Sequence, residues 1–195
     1  MKKFTKILLL VIAVAITSGC ARTVVVSEVL QMQLDDKLYT KYNIWYTEAN
    51  NINCLNIQQG TILPIGTEVE IIECDEKKVT FAPVATGEQF TIKLDRGERM
   101  CNMQEFVQMT FTVQPLDKLL ADVSAEAAAN IKKAVITEGM TKKEIELAYG
   151  PVPPIFTPDK RNITWMYPIK ENRYLRLIFR GDKLKTILNL YENAE

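Results

Sequence analysis

The spacing of hydrophobic positions changes along this chain. Residues 7–16 form an unbroken apolar run. From residue 23 to 94, apolar side chains come in short bursts with polar neighbours, as strands buried on one face require. Thr23, Val24, Val25 and Val26 are β-branched, residues 37–40 and 43–46 have strand composition, and 54–57 is another apolar burst, closed by Gly60. Residues 68–74 alternate, and Phe90, Ile92 and Leu94 share one face of a later segment. Five or six short strands at this spacing predict a small barrel or sandwich over 20–97.

The period then lengthens. Asn102 and Glu105 stand at capping-box spacing ahead of Phe106, Val107 and Met109. Pro115 can open a helix through Leu119 and Leu120, and the alanine-rich stretch 124–134 is helical by propensity. Residues 98–130 are therefore expected to form a helical linker. Thr141 and Glu144 repeat the capping-box spacing, Ile145, Leu147 and Ala148 give an apolar edge, and Gly150-Pro151 stops the helix. Prolines 151, 153, 154 and 158 then exclude a regular ladder.

Near the C-terminus the period returns to two. Ile163, Trp165 and Tyr167 alternate on one strand, and segments 173–180 and 183–190 flank the hairpin turn Gly181-Asp182. That turn predicts Arg180 opposite Lys183, Phe179 opposite Leu184, Ile178 opposite Lys185, Leu177 opposite Thr186, Arg176 opposite Ile187, and Leu175 opposite Leu188. One face would be apolar, with Leu175, Leu177, Phe179, Leu184 and Leu188 as a seat for the Thr141 helix. The other would show Arg176, Arg180, Lys183 and Lys185 around Ile178 and Ile187. Like charges directly opposite each other destabilise a strand pair unless water or a partner relieves them. This face is the candidate contact surface, for anionic lipid headgroups or an acidic envelope protein. A solvated face of ordinary basic residues is the alternative.

Charge sharpens the division. The chain of 195 residues carries 24 basic and 24 acidic side chains. Residues 20–130 hold nine basic and 16 acidic groups, whereas 131–195 hold 12 and eight, so the two halves are expected to face different surroundings. Histidine is absent, which removes Ser-His-Asp and Cys-His catalysis and histidine zinc sites. No G-x-S-x-G, Walker A or Cys-x-x-Cys motif occurs. The sequence therefore predicts no catalytic residue, metal or cofactor; a carboxylate enzyme is the one class left open.

Lys2, Lys3 and Lys6 precede the apolar run, which is too short to span a bilayer but suits a signal peptide over 1–19. Thr17-Ser18-Gly19-Cys20 resembles a bacterial lipobox, although Thr17 stands where Leu, Val or Ile is more usual. The resemblance implies acylation of Cys20 and attachment to the lipid bilayer. Ala21, in place of an aspartate, favours the outer membrane, facing the periplasm. A nucleic-acid partner is not expected there. In that oxidising compartment a Cys54–Cys74 disulfide would close a loop of 21 residues and contribute roughly 3 kcal/mol. Two buried thiols, or a bond involving Cys101, are the alternatives.

Two stretches resemble known families. Gly139-Met140-Thr141-x-x-Glu144, the helix, Gly150-Pro151, the Trp165-x-Tyr167 strand and Phe179-x-Gly181-Asp182 resemble the SmpA/OmlA (BamE-like) domain of the outer-membrane barrel-assembly machinery, over 131–195. That resemblance implies a helical pair on a three-stranded antiparallel sheet and a protein that works by contact, without catalysis. Residues 60–69 loosely resemble bacterial SH3-like domains, which implies recognition of peptides or peptidoglycan through Tyr39, Tyr42, Trp45 and Tyr46; core packing is the other use for these aromatics. Together these readings predict an α+β chain: a β-rich SH3-like domain at 20–97, a helical linker at 98–130 and an SmpA/OmlA domain at 131–195.

Overall fold

The computed structural model describes residues 22–170 and 173–191. The expected leader and Cys20 lie outside them. The first half contains α1 (Val26–Val29), β1 (Leu38–Thr40), β2 (Ile44–Tyr46), β3 (Ile52–Asn53), β4 (Thr61–Leu63), β5 (Glu68–Cys74), β6 (Lys78–Pro83) and β7 (Phe90–Lys93). Next come α2 (Arg96–Arg99), α3 (Met103–Thr110), β8 (Phe111–Thr112), α4 (Leu116–Leu119), α5 (Ala125–Lys132) and α6 (Lys142–Tyr149). The chain ends with β9 (Thr164–Lys170), β10 (Arg173–Arg180) and β11 (Lys183–Tyr191). The fold is α+β. A six-stranded mixed sheet, in the order β3-β7-β6-β5-β1-β8, curls as a half-barrel, β2 pairs with β4, and β11-β10-β9 form an antiparallel sheet.

Two cores organise the molecule. The first gathers Val24, Val26, Ile44, Val69, Phe81, Phe90 and Ile92 from the half-barrel with Met103, Phe106, Val107 and Phe111. The second gathers Leu119, Ile131, Ile145, Leu147 and Ala148 beneath Trp165, Tyr167, Leu175, Leu177, Phe179 and Leu184. The expected linker is thus divided between them. Residues through Thr112 belong to the half-barrel, because β8 pairs with β1, while α4 and α5 belong to the second core. A two-residue strand directly after a helix leaves too short a pattern to read from sequence.

Both capping boxes form. Thr141 Oγ1 accepts from Glu144 N at 3.2 Å and Glu144 Oε2 accepts from Thr141 N at 2.6 Å; Asn102 and Glu105 make the equivalent pair. α6 lies on the inner face of the C-terminal sheet, with Ile145 and Ala148 fully buried. Lys142 closes the N-terminal edge of that contact. Its Nζ donates to the carbonyls of Lys160 and Asn162 and lies 5.1 Å from the Trp165 ring centroid, a cation–π distance.

Three strand expectations change. Residues 23–26 make only an isolated bridge, Thr23 with Asp75, before the chain turns into α1. The burst at 54–57 is a turn, and the strand lies just ahead of it at β3. Asn53 Oδ1 accepts from Leu55 N, and Asn56 adopts φ +55°, so local side-chain chemistry bends the backbone despite its apolar residues. Ile163 precedes β9 and is exposed, apart from the buried Trp165 and Tyr167. The Cys54–Cys74 bond is not formed. Cys54, Cys74 and Cys101 are free thiols, with Cys54 Sγ placed against the Asp95 main chain and Cys74 ending β5.

Candidate functional site

The C-terminal hairpin starts in the expected register, Arg180 opposite Lys183 and Phe179 opposite Leu184. A β-bulge follows. Ile178 pairs with Thr186, Leu177 with Ile187, Arg176 with Leu188 and Leu175 with Asn189, which leaves Lys185 as the extra residue. One inserted residue exchanges the faces of everything beyond it. Ile187 therefore packs against the second core, and Leu188 takes its place on the outer face, 39% exposed.

The corrected outer face is less basic than the sequence suggests. Across the three strands it carries one row of Thr164, Ile178 and Thr186 and another of Met166, Arg176 and Leu188. Tyr174 continues it, with the Phe156 ring edge-on at 5.1 Å. Arg176, Ile178, Met166 and Tyr174 are half-buried. Arg180, Lys183 and Lys185 are exposed and belong to the turn end of the hairpin and its bulge. Arg176 is thus the cation at the centre of the face, flanked by apolar side chains. Its Nε is buried and has no hydrogen-bond partner among the described residues.

The edges of the sheet are partly closed. Gly139 N donates to the Leu184 carbonyl and Leu184 N to the Met140 carbonyl, both at 2.8 Å, so the chain entering α6 covers the start of β11. Met166 N donates to Thr157 Oγ1 at 3.0 Å, which covers part of β9. The outer face and the later part of β11 stay accessible, with Leu188 and Asn189 exposed.

The structure also joins residues that sequence reasoning had left separate. Four successive carbonyls at the end of α6 each accept from a side chain elsewhere in the fold. Ala148 O accepts from Asn43 Nδ2 at 3.0 Å, and Tyr149 O from Asn56 Nδ2 at 2.7 Å. Gly150 O accepts from the Tyr167 hydroxyl at 2.9 Å, and Pro151 O from Arg99 Nη1 at 2.9 Å. A helix C-terminus leaves such carbonyls without intrahelical donors. Here the half-barrel supplies three of the four donors. Asn43 also donates to Ile131 O at the end of α5 and accepts from Ile65 N, so it uses three of its hydrogen-bonding sites while fully buried. Arg99 is 2% exposed, and its charge lies at the negative end of α6, where a cation is favoured. No spacing in the sequence marks these residues; Asn43 and Asn56 stand there inside segments whose composition predicts strands.

The four aromatics expected to serve an SH3-like surface are distributed differently. Tyr42 is buried in the seam, its hydroxyl 3.1 Å from Thr110 Oγ1, and Tyr46 packs edge-on against Phe90. Trp45 and Tyr46 border a recess of 100 Å³, and Tyr39 is half-buried in β1. That recess is smaller than ordinary small-molecule sites. A larger cleft of 490 Å³ opens between the halves, where Lys41, Tyr42 and Met109 face Lys118, Lys143 and Leu147.

Among the described residues, no helix is long and apolar enough to cross a membrane. Comparison with protein-family models, curated proteins and solved structures finds no match to this chain.

Proposed function

We propose that this chain is an outer-membrane lipoprotein, anchored through acylated Cys20, that acts as a non-catalytic interaction or assembly module of the cell envelope. In this reading the half-barrel is an SH3-like unit, and residues 131–195 are an SmpA/OmlA-type domain working by contact. The apolar run before Cys20 supports the address, and α6 seated on a three-stranded antiparallel sheet supports the domain type. One observation carries the contact role. The outer sheet face holds Met166, Ile178 and Leu188 around the half-buried cation Arg176. An envelope protein presenting a carboxylate within an apolar patch fits that face better than a purely anionic surface does.

A photocrosslinking residue at Ile178, used in intact envelopes, tests this. The parent should capture a defined envelope protein, and Arg176→Glu with Leu188→Glu should lose it while retaining the parent's circular dichroism. Equal capture by both would reject the face. Retention of the chain on purified peptidoglycan would instead favour the alternative, a tethered peptidoglycan- or peptide-binding module.

A further inference from the structure

We infer that the molecule sits flush on a phospholipid bilayer, with the end of the half-barrel that carries the β5–β6 turn against the headgroups. This rests on the lipoprotein reading above, because it takes acylated Cys20 as the anchor.

The chain joins the fold almost immediately after that cysteine. Thr23 forms an antiparallel bridge with Asp75, Val24 N donates to the Cys74 carbonyl at 2.9 Å, and Val24 and Val26 are buried in the first core. Only Ala21 and Arg22 lie between Cys20 and Thr23. Three Cα steps reach at most about 11 Å, so an anchor at the bilayer surface holds Thr23 within that range and its bridge partner Asp75 one strand spacing of ~5 Å further. A flexible spacer of about twenty residues would give a typical reach of roughly 25 Å and free the body to reorient. The native leash does not.

The surface at that end suits the contact. Val25 is 46% exposed beside the bridge. Ile72 is 51% exposed and lies at a register shift in β5 that leaves it without a partner in β6. The acidic groups of the turn are already engaged: Glu73 pairs with Lys78 at 2.7 Å and Glu76 with Arg96 at 3.8 Å. Asp75 Oδ1 accepts from the main-chain N–H groups of Lys77 and Lys78. Arg22 and Lys77 are exposed and have no ion pair among the described residues. Leu94 N donates to the Lys77 carbonyl, so Lys93, Asp95 and Glu98 share this end; with Asp75 they leave the charge near balance, and two exposed apolar side chains, Val25 and Ile72, accompany it. That combination favours the boundary between phosphodiester headgroups and acyl chains.

The N-terminal end of α6 supplies the control position. The C-terminal end of α6 is held at the seam with the half-barrel, whereas Glu138 precedes its N-terminal end and is exposed. The experiment uses the full-length lipidated protein carrying Cys101→Ser, with a fluorophore on Ile72→Cys or on Glu138→Cys. Vesicles of phosphatidylethanolamine and phosphatidylglycerol contain a lipid with a nitroxide headgroup. Quenching should be several-fold stronger at position 72 than at 138, and a glycine-serine spacer of about twenty residues between Ala21 and Arg22 should erase most of the difference. Equal quenching at both positions in protein whose intact mass includes the lipid on Cys20 would overturn the orientation alone. Absence of that mass would remove the lipoprotein reading and this inference with it.

Discussion

The side-chain amide of Asn43 donates to the carbonyl of Ala148 at 3.0 Å across 105 residues of sequence. It makes the end of α6 part of the half-barrel's own hydrogen bonding, and so welds two cores of different architecture. Asn56, Arg99 and Tyr167 extend the weld to the next three carbonyls.

Removing the Asn43 amide should be costly. Asn43→Asp keeps the shape but loses both donors, leaving the Ala148 carbonyl without its side-chain donor and the Ile131 carbonyl with Ala134 N alone, beside a new carboxylate. A loss of about 3 kcal/mol or more is expected in urea unfolding. Asn43→Ala combined with Asn56→Ala should be non-additive, because the two amides share one network.

Gly150 is required where α6 meets the half-barrel. It adopts φ +83°, and an added Cβ would come within 2.9 Å of the Tyr42 ring and 3.1 Å of Asn56 Nδ2. Gly181 in the hairpin turn also has positive φ, at +62°, but open space around it. Gly181→Ala should cost about 1 kcal/mol from backbone strain alone. Gly150→Ala should cost clearly more and lower Tm further in parallel melts.

Deletion of Lys185 tests the bulge. In the observed register it removes the one extra residue and leaves every later pair intact. The variant should fold with stability within about 1 kcal/mol of the parent. In an unbulged hairpin the same deletion would turn the later residues to the opposite face. A large loss of Tm would argue for that register.

The free thiols predict a reactivity order and a pH dependence. Cys54 and Cys74 are buried, whereas Cys101 is partly accessible, so native protein should be alkylated first at Cys101. Burial pushes the Cys74 thiol up to about 11 from 9.0, with Asp75 and Glu73 adding to the effect. Between those values the unfolded chain releases a proton that the folded one retains, so stability is full below pH 9 and falls as pH rises towards 11. Thermal melts at pH 8 and pH 10.5 should show the fall, and Cys74→Ser should reduce it. An unchanged pH dependence in that variant would exclude Cys74 as a contributor.

Much of the local structure follows from short-range signals. The boxes at Asn102–Glu105 and Thr141–Glu144 form because each pair satisfies the other's backbone within three residues. Phe90, Ile92 and Leu94 are buried as their alternation predicts. Gly181-Asp182 sets the first two hairpin pairs. The errors arise where a single residue or a distant partner decides. Lys185 exchanges Ile187 and Leu188 between faces, and Asn53 and Asn56 turn the chain where its apolar residues suggest a strand.

The sequence alone determined the α+β class, the capped α6 with its Gly-Pro stop, and the inner sheet face of Leu175, Leu177, Phe179 and Leu184. Each depends on periodicity or on contacts a few residues apart. Only the tertiary structure decided that the helical segment is divided between two cores and that the outer face centres on Arg176. It also assigned Asn43, Asn56 and Arg99 to the carbonyls at and just past the end of α6. Those outcomes depend on satisfying buried polar groups between segments tens of residues apart, and hydrophobic pattern carries no record of which donor meets which acceptor.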